Sequence, residues 1–254
     1  MQYCDCHAHL ADERIRPQLD TLLADCARFD VTVLANAAKV TEWPVIEDLT
    51  THSNIYGALG LHPFFLHEWD DTVPSRLRKQ LTGNTRLRAI GEIGLDFYRK
   101  DIPVEKQFHV LGAQLQLAAE LNYPVILHNR KSWSQFFRLL NELKITELRG
   151  VCHHFTGSRE IARQALDRGL YLSFCGPLTY PNARRIKAAA AYAPLDRILT
   201  ETDTPDLPVH SHRGSLSSPP QVIQIVAELA QQKKTSGEVV RRQICENFRT
   251  LLHL

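Results

Sequence analysis

Eight short apolar segments, separated by helix-like amphipathic segments, are the feature that most constrains the fold of this chain. Strands that alternate with helices indicate βαβ units and a parallel sheet. Eight such units within 254 residues predict a closed (β/α)8 TIM barrel. The alternative is a doubly wound open sheet, but no Gly-x-Gly-x-x-Gly turn follows the first segment. The predicted strands are residues 3–9, 31–35, 55–61, 87–94, 125–128, 150–154, 170–174 and 198–203.

The composition excludes some classes of protein. No linker, internal repeat or low-complexity stretch divides the chain, so we expect residues 1–254 to form a single barrel domain. The formal charge of +2 gives no strong field that would attract a polyanion, so local cations or metals would have to hold a phosphate-bearing substrate. The six cysteines are scattered, and neither a signal peptide nor a membrane-spanning apolar stretch is visible. These features predict a reduced, cytoplasmic protein.

Unusual polar residues fall where the predicted strands end. Because the carboxyl ends of barrel strands converge on one rim, where active sites lie, we expect these residues to meet. One of them, Glu92, lies inside an apolar strand between Gly91 and Gly94, which leave room for a close approach to the backbone. A buried carboxylate requires a cation or several donors, and a buried Glu–Arg pair is the alternative to a metal. The residues at the rim are His7, His9, His62, Glu92, His128, His153 and Asp203.

Strand alternation separates the histidines of the first strand from its cysteines. Side chains point alternately to opposite faces, so Asp5, His7 and His9 are expected on one face and Cys4 and Cys6 on the other. The cysteines are therefore interpreted as small buried residues rather than ligands. By the same argument the two carboxylates of 201–203 share a face.

Four histidines and two carboxylates at one rim suffice for two ions. A carboxylate can bridge two metals about 3.5–4 Å apart, and Glu92 is the natural bridge. Imidazole and carboxylate ligands suit Zn, Mn, Fe or Ni, and Mg where carboxylates and water dominate. One ion is assigned to His7, His9, Glu92 and Asp203, and the other to Glu92, His128 and His153.

The ordered motifs of the chain resemble those of the TatD family of metal-dependent deoxyribonucleases, and Pro205-Asp206-Leu207-Pro208 is similar to its YjjV-like subgroup. The resemblance covers nearly the whole chain. Its motifs are Asp5-Cys6-His7-Ala8-His9, Gly60-Leu61-His62-Pro63, Gly91-Glu92-Ile93-Gly94-Leu95-Asp96, Pro124-Val125-Ile126-Leu127-His128-Asn129-Arg130, His153-His154-Phe155-Thr156-Gly157 and Glu201-Thr202-Asp203-Thr204-Pro205.

The resemblance implies a TIM barrel that hydrolyses phosphodiester bonds of DNA, single-stranded or at 3′ ends, with divalent metals. Glu92 and Asp203 would then act in catalysis, Asp203 either as a ligand that accepts a proton or as a ligand only. Candidate phosphate contacts are His62, Arg130 and Arg213, although Arg130 and its neighbour Lys131 could equally be solvated surface charges.

The chain also departs from the family pattern. Phe64 stands where many relatives have a histidine, and Ser217 stands where an asparagine is common; both changes affect expected substrate contacts. Two other functions fit the same residues. One is hydrolysis of a small amide, lactone or imide on the same kind of barrel, and the other is metal or nucleic-acid binding without catalysis.

Overall fold

The sheet of the protein has eight parallel strands. The computed structural model describes residues 2–254, so only Met1 of the predicted domain lies outside the described residues. Each strand pairs with its neighbours in chain order from β1 to β8, as in a TIM barrel. The strands are β1 (Tyr3–Ala8), β2 (Val31–Asn36), β3 (Ile55–Leu59), β4 (Leu87–Asp96), β5 (Val125–Arg130), β6 (Gly150–Cys152), β7 (Tyr171–Phe174) and β8 (Ile198–Thr200).

Helices connect successive strands and cover the outside of the sheet. The amphipathic segments between the strands form these helices, and local signals explain some boundaries. Ser158 and Ser236 cap helix starts through their side-chain oxygens, and Asn122 ends a helix in the left-handed region at φ 55°. The helices are α1 (Leu19–Arg28), α2 (Trp43–Leu49), α3 (Val73–Gly83), α4 (Val104–Leu121), α5 (Trp133–Glu142), α6 (Arg159–Leu166), α7 (Arg184–Tyr192), α8 (Val222–Lys233) and α9 (Gly237–Leu252).

The barrel closes between β1 and the end of β8. A parallel bridge joins Ala8 to Thr204, and the hydroxyl of Thr200 donates to the carbonyl of Cys4 at 2.7 Å. The backbone N–H of His9 donates to Thr204 at 2.7 Å, and that of Asp203 donates to His7 at 2.9 Å. The predicted (β/α)8 barrel is therefore confirmed, with its seam at residues that were singled out for the site.

Strand lengths differ from those expected, because pairing between neighbours decides where a strand ends. β4 and β5 continue together through the pairs Leu95–Asn129 and Asp96–Arg130. β8 stops at Thr200, and Asp203 adopts a left-handed φ of 55°, which cannot continue a strand. Several rim residues consequently lie just after their strands rather than within them.

The predicted close approach at the glycines of β4 is confirmed, and the approaching group is β5. A Cβ on Gly91 would lie 2.5 Å from the Cβ of Ile126, and one on Gly94 would overlap the carbonyl oxygen of His128. The two strands therefore meet without side chains between them, which brings His128 close to Glu92. Within 2–254, none of the helices combines the length and apolar character needed to span a bilayer.

Candidate metal centre

A cavity of about 750 Å³ opens at the carboxyl ends of the strands. Its floor contains the rim residues expected from the sequence. His9, His62, Glu92, His128, His153 and Asp203 line it, and His7 lies fully buried directly beneath. Residues from six different strands or strand ends therefore meet at one site.

One oxygen of Glu92 faces the histidines of β1. Its Oε2 lies 3.3 Å from Nε2 of His9 and 3.6 Å from Nε2 of His7. The two Nε2 atoms are 3.1 Å apart, and each is within 3.5 Å of Oδ1 of Asp203. Two nitrogens and two carboxylate oxygens, all from residues assigned to the first ion, thus surround one small space.

The other oxygen of Glu92 faces a second set of histidines. Its Oε1 lies 2.8 Å from Nε2 of His153, 3.0 Å from Nδ1 of His128 and 3.5 Å from Nε2 of His62. His153 also forms a compact group with His7 and Asp203, so it stands between the two expected ion positions rather than beside one only.

The charges of the carboxyl groups fit a cation site. Burial alone would raise the pKa of Glu92, but the surrounding imidazoles outweigh this effect and hold that pKa well below its ordinary value. Burial likewise opposes ionisation of Asp203, yet contacts from His7 and His9 hold its pKa well below normal. Both groups are therefore carboxylates at neutral pH.

The histidines divide into two classes. Burial lowers the pKa of His7, whereas for His9, His128 and His153 the neighbouring carboxylates outweigh burial and raise the pKa. Protons on these imidazoles balance the negative charge of the neighbouring carboxylates. A bound cation would replace those protons.

Hydrogen bonds to the ring nitrogens that face away from the centre orient two of the candidate ligands. Nε2 of His128 donates to Asp96 at 3.0 Å, which leaves Nδ1 free to face Glu92. Nδ1 of His9 lies 3.2 Å from the carbonyl oxygen of Asn36 and donates to it, so Nε2 faces the cavity. Such partners fix the tautomer and the ring orientation of histidines that bind metals.

His62 differs from the other rim histidines. Its Nδ1 accepts a hydrogen bond from the backbone N–H of Phe64 at 3.1 Å, and burial lowers its pKa to about 3. A neutral ring whose Nδ1 accepts carries its proton on Nε2. That Nε2–H points toward Glu92 and the cavity, so His62 is arranged as a donor rather than as a metal ligand.

Two glutamines of α4 hold site loops, and the sequence reasoning missed both. The side chain of Gln114 exchanges two hydrogen bonds with the backbone of Leu61, next to His62. The side chain of Gln107 does the same with the backbone of Asp96. Both side chains are almost fully buried. The spacing of these two glutamines, seven residues apart, was the sequence signal that could have indicated this role.

The donor set fits divalent cations. Neighbouring ligand atoms in a tetrahedral shell of radius 2.0–2.1 Å lie roughly 3.3 Å apart, close to the 2.8–3.6 Å contacts around Glu92. Within residues 2–254, three overlapping groups have potential ligand atoms close enough together to hold an ion: His7, His153 and Asp203; His7, His9 and Glu92; and His62, Glu92 and His128, in which His62 is arranged as a donor.

Strict strand alternation is wrong near the seam. The pairing of β1 shifts between Asp5 and Ala8, and the carboxylate of Asp5 accepts from Thr202 instead of facing the cavity. The thiol of Cys6 lies 3.8 Å from Glu201, although Cys6 was expected on the opposite face from the site. All six cysteines are nevertheless buried and free, as predicted, and none belongs to the three candidate groups.

Glu201 does not share the position of Asp203. Its carboxylate accepts from the backbone N–H of His154 and lies 3.7 Å from Nδ1 of His153, behind that ring. The left-handed turn at Asp203 separates the two carboxylates, since residue alternation applies only within a regular strand.

The expected substrate contacts are only partly brought together. Arg130 and Phe64 line the cavity beside His62. Arg213 does not line it: this residue is exposed, and its guanidinium lies 5.9 Å from the ring of Tyr180. Ser217 is buried against the backbone that follows β8, so its difference from relatives affects loop packing.

Comparisons with known proteins agree with this geometry. The family model "TatD related DNase" matches residues 4–253. "Uncharacterized metal-dependent hydrolase YabD" of Bacillus subtilis (strain 168) is 32% identical over 252 residues, which cover 98% of each chain. "3'-5' ssDNA/RNA exonuclease TatD" of Cronobacter sakazakii is 39% identical over 160 residues, covering 61% of this chain and 59% of the relative.

A solved structure supports the same relationship. The crystal structure of YJJV, a TatD homologue from Escherichia coli K12, superposes with a TM-score of 0.93 at 28% identity, covering 100% of this chain and 98% of that one. The match spans the barrel and the loops that carry the candidate ligands. The resemblance seen in the sequence is confirmed: the chain belongs to the TatD family of metal-dependent hydrolases.

Proposed function

We propose that the chain is a two-metal 3′–5′ deoxyribonuclease that acts on single-stranded DNA or 3′ ends. One observation carries the proposal: the two oxygens of Glu92 face two different sets of imidazoles, at 2.8–3.6 Å. A carboxylate in that position suits a bridge between paired cations. The family description and the exonuclease name of one relative support the choice of DNA as substrate.

The candidate ligands divide around that bridge. His7, His9 and Asp203 would hold the first cation together with Glu92. His128 and His153 would hold the second cation, also together with Glu92. When bound, the cations neutralise charge on the phosphoryl group and lower the pKa of water.

Asp203 is positioned to accept a proton from attacking water. Its side chain is 14% exposed and lines the cavity, and its low pKa keeps it ionised at neutral pH. A carboxylate within hydrogen-bond reach of the nucleophile can act as a general base.

Two further residues handle the substrate phosphate. The Nε2–H of His62 donates to a phosphoryl oxygen, and the guanidinium of Arg130 at the cavity edge binds a neighbouring phosphate of the strand. Neither contact needs a change in the backbone, because both side chains already face the cavity.

Labelled single strands test the proposal. The purified chain, stripped with EDTA and reloaded with Mg²⁺, Mn²⁺ or Zn²⁺, should shorten a 5′-labelled oligonucleotide by one nucleotide at a time. A 3′ label should leave at once as a mononucleotide, and elemental analysis should find two metals per chain. If the DNA stayed intact while the chain hydrolysed members of a lactone or dihydropyrimidine panel, the proposal would be replaced by hydrolysis of a small amide, lactone or imide. A single metal per chain would refute the two-metal centre.

A further inference from the structure

The extended ends of β4 and β5 form a ledge at the mouth of the cavity. The backbone N–H of Phe97 donates to Arg130 at 2.9 Å, so pairing continues beyond the site. Arg130 lines the cavity, and Tyr98 and Lys131 lie beside it. We call Tyr98, Arg130 and Lys131 the β4–β5 ledge.

The ledge presents two cations against one exposed aromatic ring. The guanidinium of Arg130 lies 3.8 Å from the ring centroid of Tyr98, and the ammonium of Lys131 lies 4.8 Å from it. Tyr98 is 51% exposed. In the part of the chain that the structure describes, neither cation is ion-paired with a carboxylate. Cations that track phosphates beside aromatic groups are typical of single-strand binding sites.

The ledge is fixed relative to the metal centre. Asp96 accepts from His128 through Oδ2 and from the backbone N–H groups of Tyr98 and Arg99 through Oδ1, at 2.8 and 3.1 Å. The hydroxyl of Ser132, just after Lys131, donates to the carbonyl of β4 at Leu95. The distance from a phosphate on the ledge to the centre is therefore set before substrate arrives.

The wall of the cavity opposite the ledge carries mainly carboxylates, whereas the ledge carries cations. Arg14 is held by both Asp12 and Asp206, with 2.8 Å contacts to each carboxylate, and Glu13 lines the cavity beside them. The wall thus carries three carboxylates and one guanidinium, and Asp12 and Asp206 already engage that guanidinium. A phosphate chain is repelled from this wall because like charges face each other.

We infer that the β4–β5 ledge binds the phosphates and a base of the strand that remains after cleavage, while the wall formed by Asp12, Glu13 and Asp206 excludes strand on the other side. This inference rests on the proposed nuclease function. It explains why only the end of a DNA strand would enter the cavity. The strand therefore has one path out of the cavity, over β4 and β5.

Salt-dependent binding tests the ledge without turnover. Anisotropy of a fluorescent dT decamer is measured with the full chain in EDTA over a range of salt. Each phosphate contact contributes about 0.7 to the slope of log Kd against log salt for single strands. Arg130→Gln with Lys131→Gln should therefore lower that slope by about 1.4. Tyr98→Ala should weaken binding roughly 5- to 150-fold and leave the slope unchanged.

Arg138→Gln is the matched control. This exposed guanidinium also lies near an aromatic ring, 5.7 Å from Phe108, but it does not line the cavity. We expect this variant to keep the wild-type slope of log Kd against log salt and the wild-type affinity for the decamer. An equal effect of Arg138→Gln would overturn the ledge in favour of diffuse surface attraction.

Kinetics separate this inference from the proposed function. With Mn²⁺, the ledge variants should raise KM for the decamer more than they change kcat. If the wild type cleaves DNA while the ledge variants keep its Kd, slope and KM, the ledge is refuted and the nuclease stands. If the wild type cleaves no DNA at all, the proposed function fails first. Cleavage of a circular single strand would overturn exclusion by the acidic wall.

Discussion

Asp96→Asn tests how the candidate centre is held together. The amide oxygen of an asparagine would keep the two backbone N–H groups of Tyr98 and Arg99, so its NH₂ would turn toward His128. Two donors would then face each other, and the proton of His128 would move from Nε2 to Nδ1. Nδ1 lies 3.0 Å from Glu92 and is the atom proposed to bind metal, so its lone pair would be lost.

The size of the effect follows from this single contact. Removing the partner behind a ligating histidine costs about 10–100-fold in metal affinity, which is about 1.4–2.7 kcal/mol. The hydrogen bond to a charged group that is lost has a similar value, about 1.5–3 kcal/mol. Competition between the protein and a chromophoric Zn²⁺ chelator measures the affinity, and thermal unfolding of the metal-free chains checks that the variant is folded.

Asp101→Asn supplies the control for this measurement. Its carboxylate pairs with Arg99 on the surface, 62% exposed, and does not line the cavity. We expect wild-type metal affinity for Asp101→Asn. A folded Asp96→Asn chain with wild-type affinity at neutral pH would refute the tautomer argument, because the carboxylate would then have no part in preparing His128.

Three further predictions concern the same centre. Glu92→Ala should lower both metal content and nuclease rate, and full metal content by elemental analysis would contradict its bridging position. Gly94→Ala should lower the free energy of unfolding by about 1–3 kcal/mol, because the added Cβ would overlap the carbonyl oxygen of His128. Gly112→Ala is the control: its Cβ would enter open space on α4, so denaturant unfolding should show a gain of about 0.5–1 kcal/mol. Finally, the neighbouring carboxylates raise the pKa values of His9, His128 and His153 and so favour their protonated forms, whereas metals require the lone pairs of these imidazoles. Metal affinity should therefore fall as the pH is lowered, and titration calorimetry in buffers of different ionisation enthalpy should detect released protons; heats independent of buffer would contradict this.

The periodic apolar segments predicted the barrel because strand–helix alternation leaves few other arrangements. Strand ends were predicted less well, because they depend on pairing between neighbours. The continuation of β4 and β5 to Asp96 and Arg130 needs both strands together, and neither segment encodes it alone. The early end of β8 depends on the backbone turn at Asp203.

The candidate ligands could be predicted because polar residues at buried strand ends are costly and therefore conspicuous. The residues that hold them were harder to find. Gln107 and Gln114 look like ordinary helix residues until the loops that they bind are in place. Asp5 lies away from the cavity because the pairing of β1 with β2 shifts along the strand. The alternation of side chains along a single strand cannot predict such a shift.

The seam of the barrel gives metal binding a mechanical role. The first and last strands meet through the bridge between Ala8 and Thr204 and the backbone contacts of His9 and Asp203. Candidate ligands on both sides of that seam would share a cation, which would cross-link the two ends of the chain. Binding that favours only the closed form slows its opening. Hydrogen exchange at the amides of His9 and Asp203 should therefore be slower with metal, and chelation should first loosen the join between the first and last strands.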